Sequence, residues 1–327
     1  MQTRKLGKTG WEISAVGLGC MGFSHAYGEP TEKGQAVEMI RKAYDMGYTF
    51  FDTAECYTGV NPDGSISYNE ELVGEALRPV RDKVIIATKM GITFTPNGSV
   101  LDSSPAKKRE SVEGSLKRLG TDYIDLYYQH RIDPKVAPEV VAETMGQLIK
   151  EGKIRAWGIS ETGEEYLRRA NAVTPVAAIQ NRYSMLAREY EPLFPVLEEL
   201  NVALVAFSPM GNGFLSGAYK PTDKFTEGVD YRSHMPQYTK EGFAAAQKLM
   251  DLLAELGKEK NATSGQLSLA WMLCKKPWII PIPGSRKEER IRENLNSQQV
   301  TLSAEEIART DALLDTMKMP VYWQGKR

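Results

Sequence analysis

Cysteine and histidine are both scarce in this chain of 327 residues. Cys20, Cys56 and Cys274 are an odd, scattered set with no CxxC pair. That argues against a disulfide framework and a zinc ribbon, and it fits a reducing compartment. His25, His130 and His234 include no HxH pair, so the ligand set of a zinc-dependent hydrolase is not present and no metal is expected. No apolar run approaches the roughly 20 residues that span a bilayer. The N-terminal Met1-Gln2-Thr3-Arg4-Lys5 leads into no apolar signal core, so the expected location is the cytoplasm. A formal charge of -1 gives no global field toward nucleic acid or an anionic membrane. Internal repeats and low-complexity linkers are also absent, and one domain over 1–327 is the economical expectation. Nothing in the sequence speaks to oligomeric state.

What the sequence does have is alternation. Short β-branched runs at 14–18, 48–52, 83–88, 124–129, 154–159, 176–180, 202–207 and 279–282 are separated by segments of helical period. Ala36, Val37, Ile40 and Tyr44 share one helical face, as do Val112, Leu116 and Leu119, and as do Phe243, Ala246, Met250 and Leu253. Ser104-Pro105 and Gly120 bracket the second of these helices, and Gly257 is read as the close of the third. Eight β–α alternations predict an α/β fold, a (β/α)8 TIM barrel, over the open doubly wound sheet that alternation alone would also allow. Residues 5–11 read as the turn of a hairpin closing the barrel's bottom. The glycine- and proline-rich stretch 208–240 reads as a long lid-like loop at the C-terminal face. Ser303-Ala304-Glu305-Glu306 is a capping box opening a terminal helix over about 303–317.

Gly17-Leu18-Gly19-Cys20-Met21-Gly22 matches GxGxxG after a strand, yet Phe23 to Pro30 is loop chemistry and not the helix a dinucleotide fingerprint requires. The glycines are expected instead to let backbone approach a flat ligand. The stronger constellation is Asp52, Tyr57, Lys89 and His130, each at or just past the end of its own apolar run. Singly, a lysine at a strand end is usually solvated and a histidine usually a satisfied polar group. Together they make a general-acid site for a carbonyl. A phenol has an ordinary pKa near 10; Lys89 would lower it, Asp52 would hold Lys89, and His130 would bond the same substrate oxygen.

From about Arg4 to about Asn294 the chain resembles the aldo-keto reductases. The likeness is carried by Phe51-Asp52-Thr53-Ala54-Glu55-Cys56-Tyr57, Ala87-Thr88-Lys89-Met90 and Tyr127-Tyr128-Gln129-His130. The resemblance implies Tyr57 as general acid, Lys89 as the cation that lowers its pKa, Asp52 as the partner of Lys89, and His130 as the group orienting the carbonyl. It also implies a cofactor, with Gly19, Cys20 and Met21 beside it. Trp157-Gly158-Ile159-Ser160-Glu161 is similar to the segment whose polar pair bonds the nicotinamide carboxamide. Glu161 stands where Asn is usual and can still accept from the amide. Gln180-Asn181 would complete those contacts. Phe207-Ser208-Pro209-Met210-Gly211 resembles the loop whose aromatic residue, here Phe207, stacks on the nicotinamide.

Pro283-Gly284-Ser285-Arg286-Lys287 follows the last strand, where barrels often bind phosphate at a helix N-terminus. Ser285 and Arg286 are placed to grip an extra monoester phosphate, which points to NADPH over NADH. Arg290 would lie along the adenine, with Glu293 and Asn294 bonding it, as the resemblance implies. The expected activity is hydride transfer from NADPH to an aldehyde or small ketone; the rival reading is an NADPH-binding regulatory or redox-sensing subunit on the same barrel. Phe23, Tyr27, Phe214 and Tyr231 are the expected pocket-lining residues, and the insert from Val60 to Ser65 is expected to narrow the entrance beside Tyr57.

Overall fold

The computed structural model describes residues 2–95 and 98–319; residues 1, 96–97 and 320–327 of the expected single-domain span lie outside the described residues. Among the described residues, eight parallel strands form one sheet in chain order: β1 (Leu18–Gly19), β2 (Phe50–Asp52), β3 (Ile85–Met90), β4 (Ile124–Gln129), β5 (Ile154–Ser160), β6 (Ala178–Arg182), β7 (Ala203–Phe207) and β8 (Ile279–Pro281). The sheet closes on itself. Gly17 N–H donates to Pro281 O at 2.9 Å and Gly19 N–H to Pro283 O at 3.2 Å. Proline has no N–H, so at these two positions the last strand can offer the seam only its carbonyls.

Alternation along each strand builds two cores. Phe50, Ala87, Leu126, Tyr128, Ala156, Ala178, Ala203, Val205, Ile280 and Ile282 fill the inside of the barrel. Their neighbours of opposite parity, including Phe51, Ile86, Tyr127, Trp157, Ile159, Ile179, Leu204 and Ile279, face outward against the helices. The hairpin Thr3–Lys5 with Glu12–Ser14 covers the lower end, and its Leu6 and Ile13 join the interior core. The outer layer begins with α1 (Lys33–Met46), α2 (Asn69–Leu77), α3 (Pro105–Leu119), α4 (Pro138–Lys150), α5 (Glu164–Val173) and α6 (Phe194–Leu200). It continues with α7 (Lys240–Lys260), α8 (Ser264–Lys275), α9 (Glu288–Asn296) and α10 (Ala304–Thr316). Ser104 caps α3 by accepting from Lys107 N–H, and Ser303 with Glu306 forms the capping box of α10. No helix among the described residues is long and apolar enough to cross a membrane.

Apart from shifts of a few residues at strand ends, three elements differ from the sequence expectation. The run 14–18 splits: Ser14 pairs with Thr3 in the bottom hairpin and its hydroxyl donates to Val16 O, turning the chain before β1 enters the wall. The third helix face does not stop at Gly257; α7 runs on to Lys260, and Asn261 supplies the left-handed cap at φ 50°. Gly257 serves packing instead, since a Cβ there would lie 2.7 Å from Ala262 O. The apolar segment 264–275, which carries no clean helical period, forms α8, buried along most of its length.

The seam glycines are the tightest constraint on closure. A Cβ on Gly19 would lie 2.7 Å from Ile282 O, and one on Gly284 would lie 2.6 Å from Gly19 O. These glycines therefore let backbone approach backbone across the seam. Gly19→Ala is expected to destabilise the protein by about 1–3 kcal/mol, the usual range for overpacking. Urea unfolding would read this as a lower midpoint; an unchanged midpoint would mean the seam can widen freely.

Candidate active site

The interior parity that fills the barrel with Phe50, Ala87, Tyr128, Ala178 and Val205 continues one step toward the C-terminal ends. There it presents Asp52, Lys89, His130, Gln180 and Phe207, with Ser160 on the same parity of β5. Polar residues at those positions face one another across the mouth because the strands are parallel and in register, as with Ser160 opposite Gln180.

Lys89 is fully buried. Its ammonium donates to Asp52 Oδ1 at 2.5 Å, Thr53 O at 2.7 Å and Tyr57 Oη at 3.2 Å, one acceptor for each of its three protons. Asp52 Oδ2 accepts from Gln180 Nε2 at 2.7 Å, so both carboxylate oxygens have donors. Burial alone would lower the Lys89 pKa, but the Asp52 charge and the Tyr57 oxygen outweigh it and hold the ammonium above its ordinary range. Burial raises the Asp52 carboxyl, and Lys89 and Gln180 oppose that rise.

Tyr57 leaves β2 through a turn in which its N–H donates to Ala54 O, and the Lys89 ammonium lies 4.7 Å from the centre of its ring. His130 meets that ring edge-on, with centroids 5.6 Å apart. Burial, reinforced by Lys89 and Arg131, pushes the His130 pKa well below its ordinary value, so the imidazole is neutral at pH 7. The sequence expectation for the phenol is only half met. Lys89 does pull the Tyr57 pKa down, but burial pushes harder, and the value rises to about 12.

The other expected site residues divide by surroundings. Ser160 Oγ accepts from Arg131 at 3.1 Å, and the Arg131 guanidinium lies 5.8 Å from the centre of the half-buried Phe207 ring. Glu161 holds φ 54° and its Oε1 accepts from Arg182 N–H, so one of its oxygens is engaged by β6. Asn181 is tied at both ends of its amide to the Thr162 backbone. Cys20 is buried with its N–H on Asp52 O, and Met21 opens a short helical turn beside it. Ser208 (φ 49°) and Gly211 (φ 55°) make the tight turn after β7, with Pro209 and Met210 between them. Ser285 and Arg286 lie ahead of α9, whose first turn has no side-chain cap. Arg286 donates to Tyr27 O and Glu29 O; Arg290 pairs with Glu293, and Asn294 is buried.

Two of the expected pocket residues are buried against other apolar side chains. Phe23 is 1% exposed in the outer core, and Phe214 is 3% exposed against Tyr238 and Phe243. Aromatic residues near a mouth and aromatic residues in a core look alike in sequence. Tyr27 and Tyr231 belong to a loop-to-loop clasp: Tyr231 N–H donates to Ala26 O, Gly28 N–H to Val229 O, and Asn212 Nδ2 to Tyr27 Oη. The Arg232 guanidinium packs on the Tyr27 ring and bonds Asp230. Thus the loop after β1 and the loop 208–240 are joined above the barrel.

Sequence reasoning missed His25 and Phe94. His25 lies in an offset stack between Tyr57 (5.8 Å) and Phe94 (5.5 Å), and its Nδ1 bonds Thr58 O. Phe94 stands on a hairpin, Ile92–Thr95 with Gly98–Leu101, inserted after β3. The β-rich alternation around Asn97-Gly98 was the available signal. A second hairpin, Thr58–Val60 with Ile66–Tyr68, contains the 60–65 insert beside Tyr57.

Lys89→Met would leave Asp52 buried without its counter-charge and is expected to cost about 3–5 kcal/mol. Adding Asp52→Asn should recover most of that in denaturant unfolding. A double variant no more stable than Lys89→Met alone would show that the pair is not what holds these strands.

Comparison with known proteins places this geometry in context. The model of the aldo/keto reductase family matches residues 15–315. The chain is 37% identical to the aldo-keto reductase str7 of Strobilurus tenacellus, covering 98% of this chain and 94% of that one. It is 36% identical to a probable aldo-keto reductase 1 of Glycine max, over 94% and 87% of the two chains. Among solved structures, a glycerol dehydrogenase of Gluconobacter oxydans superposes with a TM-score of 0.86 at 28% identity, over 99% of both chains. An aldo/keto reductase of Klebsiella pneumoniae, solved with NADP and acetate, superposes with a TM-score of 0.73 at 26% identity, over 100% and 98%.

Proposed function

The chain belongs to the aldo/keto reductase family, an NADPH-dependent oxidoreductase, and from that premise we propose that it reduces the carbonyl of an aldehyde or small ketone with Tyr57 as proton donor. The observation that carries this reading is the phenol at the barrel mouth, 3.2 Å from a buried ammonium and edge-on to a neutral imidazole. NADPH bound here supplies the hydride, and the protein supplies position and electrostatics.

The residues at hand suit that cofactor. Phe207, half-buried at the end of β7, offers a ring for a flat heterocycle, while Ser160 and Gln180 put polar atoms at neighbouring strand ends. The uncapped N-terminus of α9, with Ser285 and the exposed Arg286 just ahead of it, suits a phosphate monoester. Arg286 would have to exchange at least part of its hold on the Tyr27 and Glu29 carbonyls for that anion.

For the substrate, Tyr57 Oη and His130 are the two donors that could meet one carbonyl oxygen. As charge grows on that oxygen, Tyr57 transfers its proton. Lys89 steadies the phenolate left behind, and Asp52 keeps Lys89 in place, fixed in turn by Gln180. Being neutral, His130 does not compete as the acid and is suited to orienting the oxygen by a hydrogen bond. The stack of His25 and Phe94 against Tyr57 forms one wall of the approach.

Tyr57→Phe should lower the rate of aldehyde reduction by about 10²–10⁴-fold, the usual worth of a general acid, with NADPH affinity nearly unchanged in fluorescence titration. Substantial residual turnover would remove Tyr57 from its assigned role. Arg286→Ala should raise the Kd for NADPH far more than that for NADH, and equal losses would sink the phosphate reading. The pH profile has a definite sign. Burial raises the Tyr57 pKa to about 12, so the donor form persists below that value. The reductive kcat/KM should therefore show no loss of the acid between about pH 7 and 10, with the decline coming above that range. A fall traced to Tyr57 near neutrality would contradict it.

A further inference from the structure

Cys56 directly precedes the proton donor in sequence, yet the proton transfer just described gives it no part. Its side chain is buried, and Sγ lies 3.5 Å from His130 Nδ1, within hydrogen-bonding reach for sulfur. Among the described residues no other group bonds the imidazole, so Nε2 is the nitrogen left to meet a substrate. The edge-on packing of Tyr57 against the ring keeps phenol and imidazole at one place.

A neutral imidazole has one N–H and one lone pair. A carbonyl oxygen can only accept. For His130 to bond it, Nε2 must carry the proton, which leaves Nδ1 as a bare acceptor in a buried position. An unmatched acceptor there would be costly, and the neighbouring thiol is the donor at hand. Burial raises the Cys56 pKa to about 12, so the sulfur keeps its proton at neutral pH. The opposite arrangement, with Nδ1–H pointing at sulfur, would aim a lone pair from Nε2 at the carbonyl oxygen.

We propose that Cys56 is a positioning residue whose S–H donates to His130 Nδ1 and so fixes the imidazole tautomer that carries its proton on Nε2. This rests on reading His130 as the group that orients the carbonyl. It adds a device outside the four polar residues: a weak donor, too buried to ionise, sets the direction of a stronger one. A serine at this position could do the same with its hydroxyl, whereas valine would fill similar space without a donor.

Histidine ¹⁵N–¹H correlation spectra of the full-length protein distinguish the two neutral tautomers directly. With only His25, His130 and His234 in the chain, His25→Gln and His234→Gln variants assign the signals. The expected wild-type pattern is a proton on Nε2 of His130. Cys56→Val should shift His130 toward a mixture of tautomers and lower kcat/KM for an aldehyde about tenfold, the worth of one hydrogen bond, with the NADPH Kd unchanged. Cys56→Ser should restore both the tautomer and most of the activity. A wild-type proton on Nδ1, or an unchanged His130 tautomer in Cys56→Val, would overturn the proposal; if the valine variant does not fold, the wild-type spectrum alone decides. His130→Ala tests the underlying reading separately. Full activity in that variant would remove His130 from carbonyl orientation, while the spectra would still judge the Cys56 contact.

Discussion

The buried ammonium of Lys89 is the interaction on which the rest of the site depends. An isolated charge in a barrel interior would be driven to neutralise. Here the three protons meet three acceptors: a carboxylate from β2, a carbonyl from the residue after it, and the Tyr57 phenol from the loop beyond. The same carboxylate is held on its far oxygen by Gln180 from β6, on another side of the barrel. A chain of charge-assisted hydrogen bonds thus runs from β6 through β2 to β3 and out to the mouth. Tyr57 is fixed because Lys89 has nowhere else to place its third proton.

That chain requires a closed barrel, and closure has its own chemistry. Gly17 and Gly19 donate to carbonyls of Pro281 and Pro283, and the absence of a Cβ at Gly19 and Gly284 lets the two backbones meet. Above the mouth the fold changes character. The clasp between the loop after β1 and residues 208–240 relies on backbone pairs, one amide, and an arginine shared between a carboxylate and aromatic rings. Such part-buried polar contacts are individually weak compared with the two apolar cores below. The molecule therefore combines a rigid wall that carries the charged side chains with a cover held by contacts that can be exchanged. Arg286, whose bonds go to carbonyls of that cover, sits at the junction of the two.

Legibility in the sequence followed the same division. Asp52, Lys89 and His130 could be found because each interrupts or ends an apolar run, and strand parity then sends all three inward. The eight-strand count worked for the same reason: a buried parallel strand is a continuous apolar run. The first strand was misread because a single run served two elements, the hairpin and the wall. α8 escaped because a helix buried on most sides loses its period. The pocket was least legible. Phe23 and Phe214 turned into core while His25 and Phe94 became the wall beside Tyr57, and no local pattern separates an aromatic ring that faces the mouth from one that faces a helix.

The balance at Tyr57 shows why several neighbours are needed for one proton. Burial alone makes the phenolate expensive, and Lys89 reduces that cost without cancelling it, leaving the pKa at about 12. A phenol so placed keeps its proton at neutral pH, as the proposed role of donor to a carbonyl oxygen requires. The same burial acts on the neighbours in opposite senses. It deprives His130 of charge and Cys56 of its thiolate, while Lys89, answered by Asp52, keeps its proton. Lys89 is therefore left as the one cation among Tyr57, Lys89, His130 and Cys56, placed directly behind the phenol. That asymmetry is imposed by pairing and not by burial, since burial penalises every charge alike. What distinguishes Lys89 is that three acceptors were brought to it from the end of β2 and the loop that follows.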